Sequence, residues 1–261
     1  MRALFQRWRR TPPSEPFEGS PFVDLHCHVI PGVDDGARDI EEAIGMIERL
    51  SAFGIGTIVA TPHIMAGRFP NRREGLSERL AALQEALSER GIPMRLELGA
   101  EHCIDSSFVE GLEAKALVTL GVDSNHVLCE FPHWGVPEFL EEILFECQLK
   151  GYIPVIAHPE RYPEKIDGEP TEDFLRDRGC LLQLDITSFS PFFAARVRKR
   201  AHALLKRGAG KLLASDCHDP AKSFEAVRSG FARLRKIVSE ELLREMYVEN
   251  PEKIRTGKSL G

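Results

Sequence analysis

Residues 22–36 read FVDLHCHVIPGVDDG, an apolar-rich run that ends in two histidines, followed by a Pro-Gly turn and two aspartates. In a β-strand, residues i and i+2 point to one side. A strand over 22–28 therefore projects His26 and His28 together from its carboxyl end and turns Cys27 the other way. One H-x-H pair is weak evidence, since such pairs arise by chance and a lone strand-end histidine is more often structural. The rest of the chain repeats the arrangement. Further runs rich in Val, Ile and Leu, bounded by Gly, Pro or polar residues, lie at 57–63, 95–101, 126–131, 153–158, 181–187 and 211–216, and each reads as a strand. They end on His63, Glu101, Glu130, His158 and the pair Asp216/His218; the run 181–187, ending near Asp185-Ile-Thr187, offers no obvious member.

Helical patterns fill the gaps. Ile40–Phe53 places apolar residues at 40, 43, 44, 47 and 50, and 73–90 aligns Leu76, Leu80, Leu83 and Leu87, each a one-sided stripe. The segments 138–150, 191–207, 221–237 and 240–248 behave similarly. Seven strand–helix units in series predict a parallel α/β fold. A doubly wound sheet gathers only two or three strand ends at one crevice, whereas a barrel gathers them all at its carboxyl face. Potential ligands on six strand ends therefore favour a distorted (β/α)7 TIM-like barrel.

The 261 residues suffice for one large domain, and 43% hydrophobic with 28% charged residues is ordinary for a globular protein. Forty acidic against 34 basic residues, a net charge of -6, does not favour a nucleic-acid partner, which usually meets a basic face. No apolar run reaches the length of a membrane span. Residues 1–20 open MRALFQRWRR and lack a secretory core; they read as a flexible arm ahead of a single domain at 21–261. Four arginines with Leu4, Phe5 and Trp8 suit peripheral contact with an anionic membrane, although a solvated tail is the simpler reading. Six cysteines without a CxxC pair predict a reducing, cytoplasmic setting rather than a disulfide framework. None is followed by arginine six positions later, which excludes cysteine-dependent phosphatase chemistry.

With these residues in place, the chain resembles the polymerase-and-histidinol-phosphatase (PHP) superfamily. His26-Cys-His28, Thr61-Pro-His63, Gly99-Ala-Glu101, Cys129-Glu130-Phe131, Ala157-His158 and Ser215-Asp216-Cys-His218 match its motifs in order. The segments PGVDDGA, AHPERY and VENPEKI are similar to those of the manganese-dependent protein-tyrosine phosphatases of bacterial capsule and exopolysaccharide systems, over roughly residues 22–256. The resemblance implies the PHP barrel and a three-metal cluster. His26, His28, Glu101 and Asp216 would hold one ion. Glu101 would bridge to a second, held also by Glu130 and His158. Asp35, His63 and His218 would hold the third, with Asp34 able to exchange roles with Asp35. It further implies hydrolysis of phosphotyrosine, on the tail of a bacterial tyrosine kinase, by metal-activated hydroxide.

Histidines and carboxylates without a thiolate suit Mn²⁺, and also Fe²⁺ or Zn²⁺. Arg161, three residues after His158, is the candidate for a catalytic cation; the alternative is a surface ion pair with Glu160 or Glu164. The family's arginine after the last histidine is missing here, which leaves Lys222 or Arg68 to contact phosphate. The loops 65–73 and 131–137, with Phe69, Phe131 and Trp134, could line a peptide groove or simply close the barrel mouth. His102 and His133 lie near ligand strands without motif support, and His126 and His202 read as structural or surface residues. Rival readings are histidinol-phosphate phosphatase or a 3'-5' exonuclease on the same metals, and a non-catalytic scaffold. An amidohydrolase-type site would add a bridging lysine that is absent here.

Overall fold

The computed structural model describes residues 21–260; the arm at 1–20, with any membrane contact it makes, lies outside the described residues. Strand β1 (Phe22–Cys27) leads through a long loop to helix α1 (Ile40–Phe53). Asp39 caps α1 by accepting from Glu42 N, and Gly54, at φ 110°, ends it in the left-handed region, where glycine carries no Cβ penalty. The predicted strand 57–63 is two pieces, β2 (Ile55–Ala60) and β3 (His63–Ile64), broken at Thr61-Pro62. Proline has no N–H for a ladder. After α2 (Arg73–Glu89), the strand predicted at 95–101 is likewise divided, into β4 (Arg95–Leu98) and β5 (Glu101–Cys103). A Cβ on Gly99 would stand 2.7 Å from Val59 Cγ1, so the two strands cross here at glycine distance. Pairing carries over both breaks: Gly99 N donates to Ala60 O and Glu101 N to Pro62 O.

Next come α3 (Ser106–Glu113), β6 (His126–Glu130), α4 (Leu140–Leu149) and β7 (Ile153–Ala157). A 3-10 turn (Pro159–Arg161) precedes a small antiparallel hairpin of β8 (Lys165–Ile166) and β9 (Glu169–Pro170), then α5 (Thr171–Asp177). The chain closes with β10 (Leu181–Asp185), a 3-10 turn (Ile186–Phe189), α6 (Ala195–Lys206), β11 (Leu212–Ala214), α7 (Lys222–Ile237), α8 (Glu240–Arg244), a π turn (Glu245–Glu249) and α9 (Asn250–Arg255).

The strands form two parallel sheets, β1-β2-β4 and β11-β10-β7-β6-β5-β3, the mixed α/β architecture that the alternation predicts. A parallel bridge between Cys27 and Cys217 joins them at the other edge, where His28 N donates to Cys217 O and Asp216 N to His26 O. The core has two parts. Val23, Leu25, Val59, Leu128, Val155 and Leu212 from both sheets form one cluster, while Cys27, Ile58, Val127, Cys129, Ile156 and Leu213 pack among the helices. Strand alternation thus carries one row inward and the next outward. All six cysteines are buried and unpaired, and burial raises the pKa of each one facing the helices.

Helix α7 lies against the turn after β10 so closely that a Cβ on Gly230 would overlap the Ile186 carbonyl oxygen. Backbone cannot yield there as a side-chain tip can. Gly230→Ala is expected to cost about 3 kcal/mol, an overpacking penalty, read as a lower urea midpoint at unchanged slope.

Candidate metal centre

The predicted ligands meet at the carboxyl ends of the strands. Nε2 of His26 lies 3.1 Å from Nε2 of His28, as i,i+2 geometry requires. Glu101, from β5, sits among the imidazoles: its oxygens are 3.1 Å from His26 Nε2, 3.5 Å from His28 Nε2, 3.1 Å from His63 Nδ1 and 3.0 Å from His158 Nε2. Asp216 Oδ1 is 3.2 Å from His26 Nε2, and Glu130 Oε1 is 3.0 Å from His63 Nδ1. Asp35 Oδ1 faces His63 Nε2 at 3.3 Å and His218 Nε2 at 3.6 Å. Among the described residues, three groups have donor atoms within 4.8 Å of one another: His28, Asp35, His63 and His218; His26, His28 and Glu101; and His63, Glu101 and Glu130.

Two of these residues depend on unusual backbone. His158 (φ 38°) and Asp216 (φ 49°) both stand in the left-handed region, which costs a non-glycine residue on the order of 1–3 kcal/mol. Each lies just past its strand, which ends at Ala157 or Ala214, and the turn swings its side chain into the cluster.

The buried charges answer one another. Burial disfavours the charged form of Glu101, but His26 and His63 outweigh it and hold the carboxyl well below the usual range. Burial likewise opposes protonation of His26, yet Glu101 and Asp216 raise its pKa to about 9. His63 Nδ1, Glu130 Oε1 and His158 Nδ1 have no hydrogen-bond partner of good geometry among the described residues. The outer nitrogens of the H-x-H pair are occupied instead: His26 Nδ1 lies 2.8 Å from Gln183 Oε1, and His28 Nδ1 2.8 Å from Asp34 Oδ2. Two Nε2 atoms, each with its lone pair free when the ring is neutral, therefore converge on one point. The donor set fits divalent ions.

The aspartates divide their work. Asp35 stands with His63 and His218, while Asp34 braces the ring of His28 and accepts from His63 N at 3.0 Å. Arg161 is not a surface partner of Glu160 or Glu164. Its Nη2 pairs with Asp185 and, at 2.7 Å, with Asp216, and Glu160 is buried, accepting from Asp185 N. Arg68 reaches the rim, 3.2 Å from Asp35 Oδ2 and 3.1 Å from His133 Nε2. Lys222 opens α7, where Asp219 holds its backbone N–H at 2.7 Å, and among the described residues no hydrogen bond or ion pair joins its side chain to the cluster. Phe69 stacks on His63 at 5.4 Å and Trp134 is 76% exposed. Phe131 is buried against Tyr162, with ring centroids 4.2 Å apart; it belongs to the core and not to a groove.

The strand without an apparent member, β10, supplies Gln183 and Asp185, both fully buried. The signal was present in LLQLD, where two polar residues alternate with leucines. A search for metal ligands passes over an amide.

His102 is structural: its Nε2 accepts from Val118 N at 3.1 Å. Burial depresses its pKa to about 4. The unfolded chain therefore binds a proton that the folded chain refuses between pH ~6.5 and ~4. Stability is full above that window and falls as the pH drops through it, by about 3 kcal/mol from this group. Urea titrations at pH 7 and 5 are expected to show a smaller difference for His102→Gln than for the unmodified chain.

A family model described as "Capsular polysaccharide synthesis, CpsB/CapC" matches residues 22–256. The chain belongs to the CpsB/CapC family. Among curated relatives of this CpsB/CapC chain, the tyrosine-protein phosphatase YwqE of Bacillus subtilis is 32% identical, over 88% of this chain and 90% of its own length. The tyrosine-protein phosphatase CpsB of Streptococcus pneumoniae is 30% identical, over 89% and 97%. A solved structure from work on those two proteins, described there as unique metal-dependent tyrosine phosphatases, aligns with TM-score 0.80 and 32% identity over 92% of this chain and 96% of that one.

Proposed function

We propose that this CpsB/CapC-family chain is a metal-dependent phosphatase that hydrolyses phosphotyrosine on protein. The observation that carries the reading is the Glu101 carboxylate, with three imidazole nitrogens at 3.0–3.1 Å and a fourth at 3.5 Å. The names of its relatives support the substrate. The bridge from β1 to β11 supports joining the two sheets into a seven-unit barrel of the PHP kind. The family match over 22–256 supports a single domain at 21–261 with the arm outside it.

His26, His28, Glu101 and Asp216 would hold one ion, Glu101, Glu130 and His158 a second, and Asp35, His63 and His218 a third. Mn²⁺ is the proposed metal, and Fe²⁺ or Zn²⁺ suit the same donors. When bound, such a cluster lowers the pKa of water toward neutrality and offsets charge on the phosphoryl oxygens. The chain supplies the rest. Arg161 stands beside Asp216, placed to donate to a phosphoryl oxygen. Arg68 is a second cation at the rim, better placed than Lys222. Phe69, over the His63 ring, offers a face for the tyrosyl ring. The phenol leaves with a pKa near 10, so no side chain need act as general acid.

The proposed partner is the tyrosine-bearing tail of a bacterial kinase governing capsule or exopolysaccharide synthesis, met in the cytoplasm. No helix among the described residues is long and apolar enough to cross a membrane. The test is phosphate release from a tyrosine-phosphorylated peptide by metal-stripped protein with Mn²⁺ added back. Activity should return with Mn²⁺ and be absent in His158→Ala. Metal-restored turnover of histidinol phosphate or single-stranded DNA, with none of the peptide, would overturn the substrate while keeping the site.

A further inference from the structure

Strand β10 contributes no proposed metal ligand, yet it carries Gln183 and Asp185 into the site with no exposed surface on either. Burying an amide and a carboxylate is costly unless both are bonded, and these are. Gln183 Nε2 donates to Asp185 Oδ1 at 2.8 Å, and Gln183 Oε1 lies 2.8 Å from His26 Nδ1. Asp185 Oδ2 accepts from Arg161 Nη2, which also donates to Asp216 Oδ2 at 2.7 Å. Glu160 Oε1 accepts from the Asp185 backbone N–H at 3.0 Å and ties β10 to the turn that bears Arg161.

The bonding has only one consistent direction. Burial raises the Asp185 pKa, but the Arg161 guanidinium opposes this and, having donors only, requires an accepting carboxylate; beside it the Gln183 amide turns its NH₂ to Asp185 and its oxygen to His26. Nδ1 of His26 must then carry a proton, and the neutral ring presents Nε2, the atom nearest Glu101 and Asp216, with its lone pair free.

We infer that Gln183 is a positioning residue that fixes His26 for metal and, through Asp185, steadies Arg161 for phosphate. The inference rests on the metal-site reading above. A buried ion pair such as Asp185–Arg161 adds little net stability, which points to placement as its role.

Two variants of the full chain test it. Gln183→Met keeps the volume and removes the bond; metal-stripped protein should bind Mn²⁺ about 10–100-fold more weakly, the usual result of losing a partner to a ligand's outer nitrogen. Its Tm without metal should fall only modestly, since Asp185 Oδ1 and His26 Nδ1 each lose a partner, and its KM at saturating Mn²⁺ should rise about tenfold, since Asp185 holds Arg161 less firmly without the amide. Gln183→Glu still accepts from His26 Nδ1, so Mn²⁺ affinity should stay within about threefold. Its charge beside Asp185 disturbs Arg161, and KM for a phosphotyrosine peptide should rise about tenfold, the order of a lost charge-assisted bond. Mn²⁺ affinity unchanged in Gln183→Met, or lost equally in both variants with a lowered metal-free Tm, overturns the inference. An unmodified chain that binds no Mn²⁺ overturns the metal-site reading, and the inference with it; unchanged variants beside a binding parent overturn the inference alone.

Discussion

Glu101→Gln is expected to reduce kcat/KM for a phosphotyrosine peptide by about 10³-fold or more, the upper range for deleting one electrostatic stabiliser. The substitution keeps the shape and removes the charge. Four histidines of the cluster have a nitrogen within 3.5 Å of this one carboxylate. A neutral amide cannot replace it: its NH₂ would meet imidazole nitrogens that must stay free for a cation. Metal content should fall with activity, because Glu101 is shared by two of the donor groups. Elemental analysis after dialysis against Mn²⁺ reads the first effect and steady-state kinetics the second. Full activity in Glu101→Gln would remove this carboxylate from the centre of the proposed site.

The residues that converge could be named from sequence as candidates because strand ends and period-2 alternation are local properties, and FVDLHCH declares both, whereas Asp35 is named only through the family resemblance. The turns that aim two of them could not. Nothing in AHPERY or ASDCHD announces that His158 and Asp216 leave the β region, since the surrounding packing imposes those angles. The breaks at Pro62 and Gly99 were visible as residue types, but their effect depends on a neighbouring strand that local pattern does not locate. Helix Ser106–Glu113 is eight residues long and buries only Phe108 and Leu112, too few for a periodic stripe to stand out. Phe131 was misplaced for a related reason. It follows Glu130 directly, and alternation turns it toward the helix layer, against Tyr162, rather than toward the rim. Asp34 and Asp35 are alike in sequence and separate only when the loop after Gly32 brings one beneath His28 and the other to the cluster edge.

Arg161 carries the second large expectation. Its guanidinium is bound through Nη2 to Asp185 and Asp216, while its side chain keeps 30% exposure, so it is held firmly and still open to a ligand. Burial opposes its charge, but Asp185 and Asp216 outweigh that and raise its pKa above the ordinary arginine value; it is a fixed cation at every working pH. A cation held in this way acts on charge that develops on phosphoryl oxygens as the bond to the phenol breaks. Arg161→Met should therefore lower kcat/KM by about 10²–10³-fold. Arg161→Lys should recover only part, because an ammonium cannot span two carboxylates and a phosphate oxygen as the planar fork does. Neither variant removes a proposed ligand, so Mn²⁺ content should remain near that of the unmodified chain. This separates a phosphate-binding role from a structural one. If Arg161 served only to neutralise Asp185 and Asp216, its loss would alter Mn²⁺ affinity and metal-free Tm while leaving the inhibition constant of inorganic phosphate unchanged. A phosphate inhibition constant raised at least tenfold in Arg161→Met, at saturating Mn²⁺, is the result that assigns it to substrate.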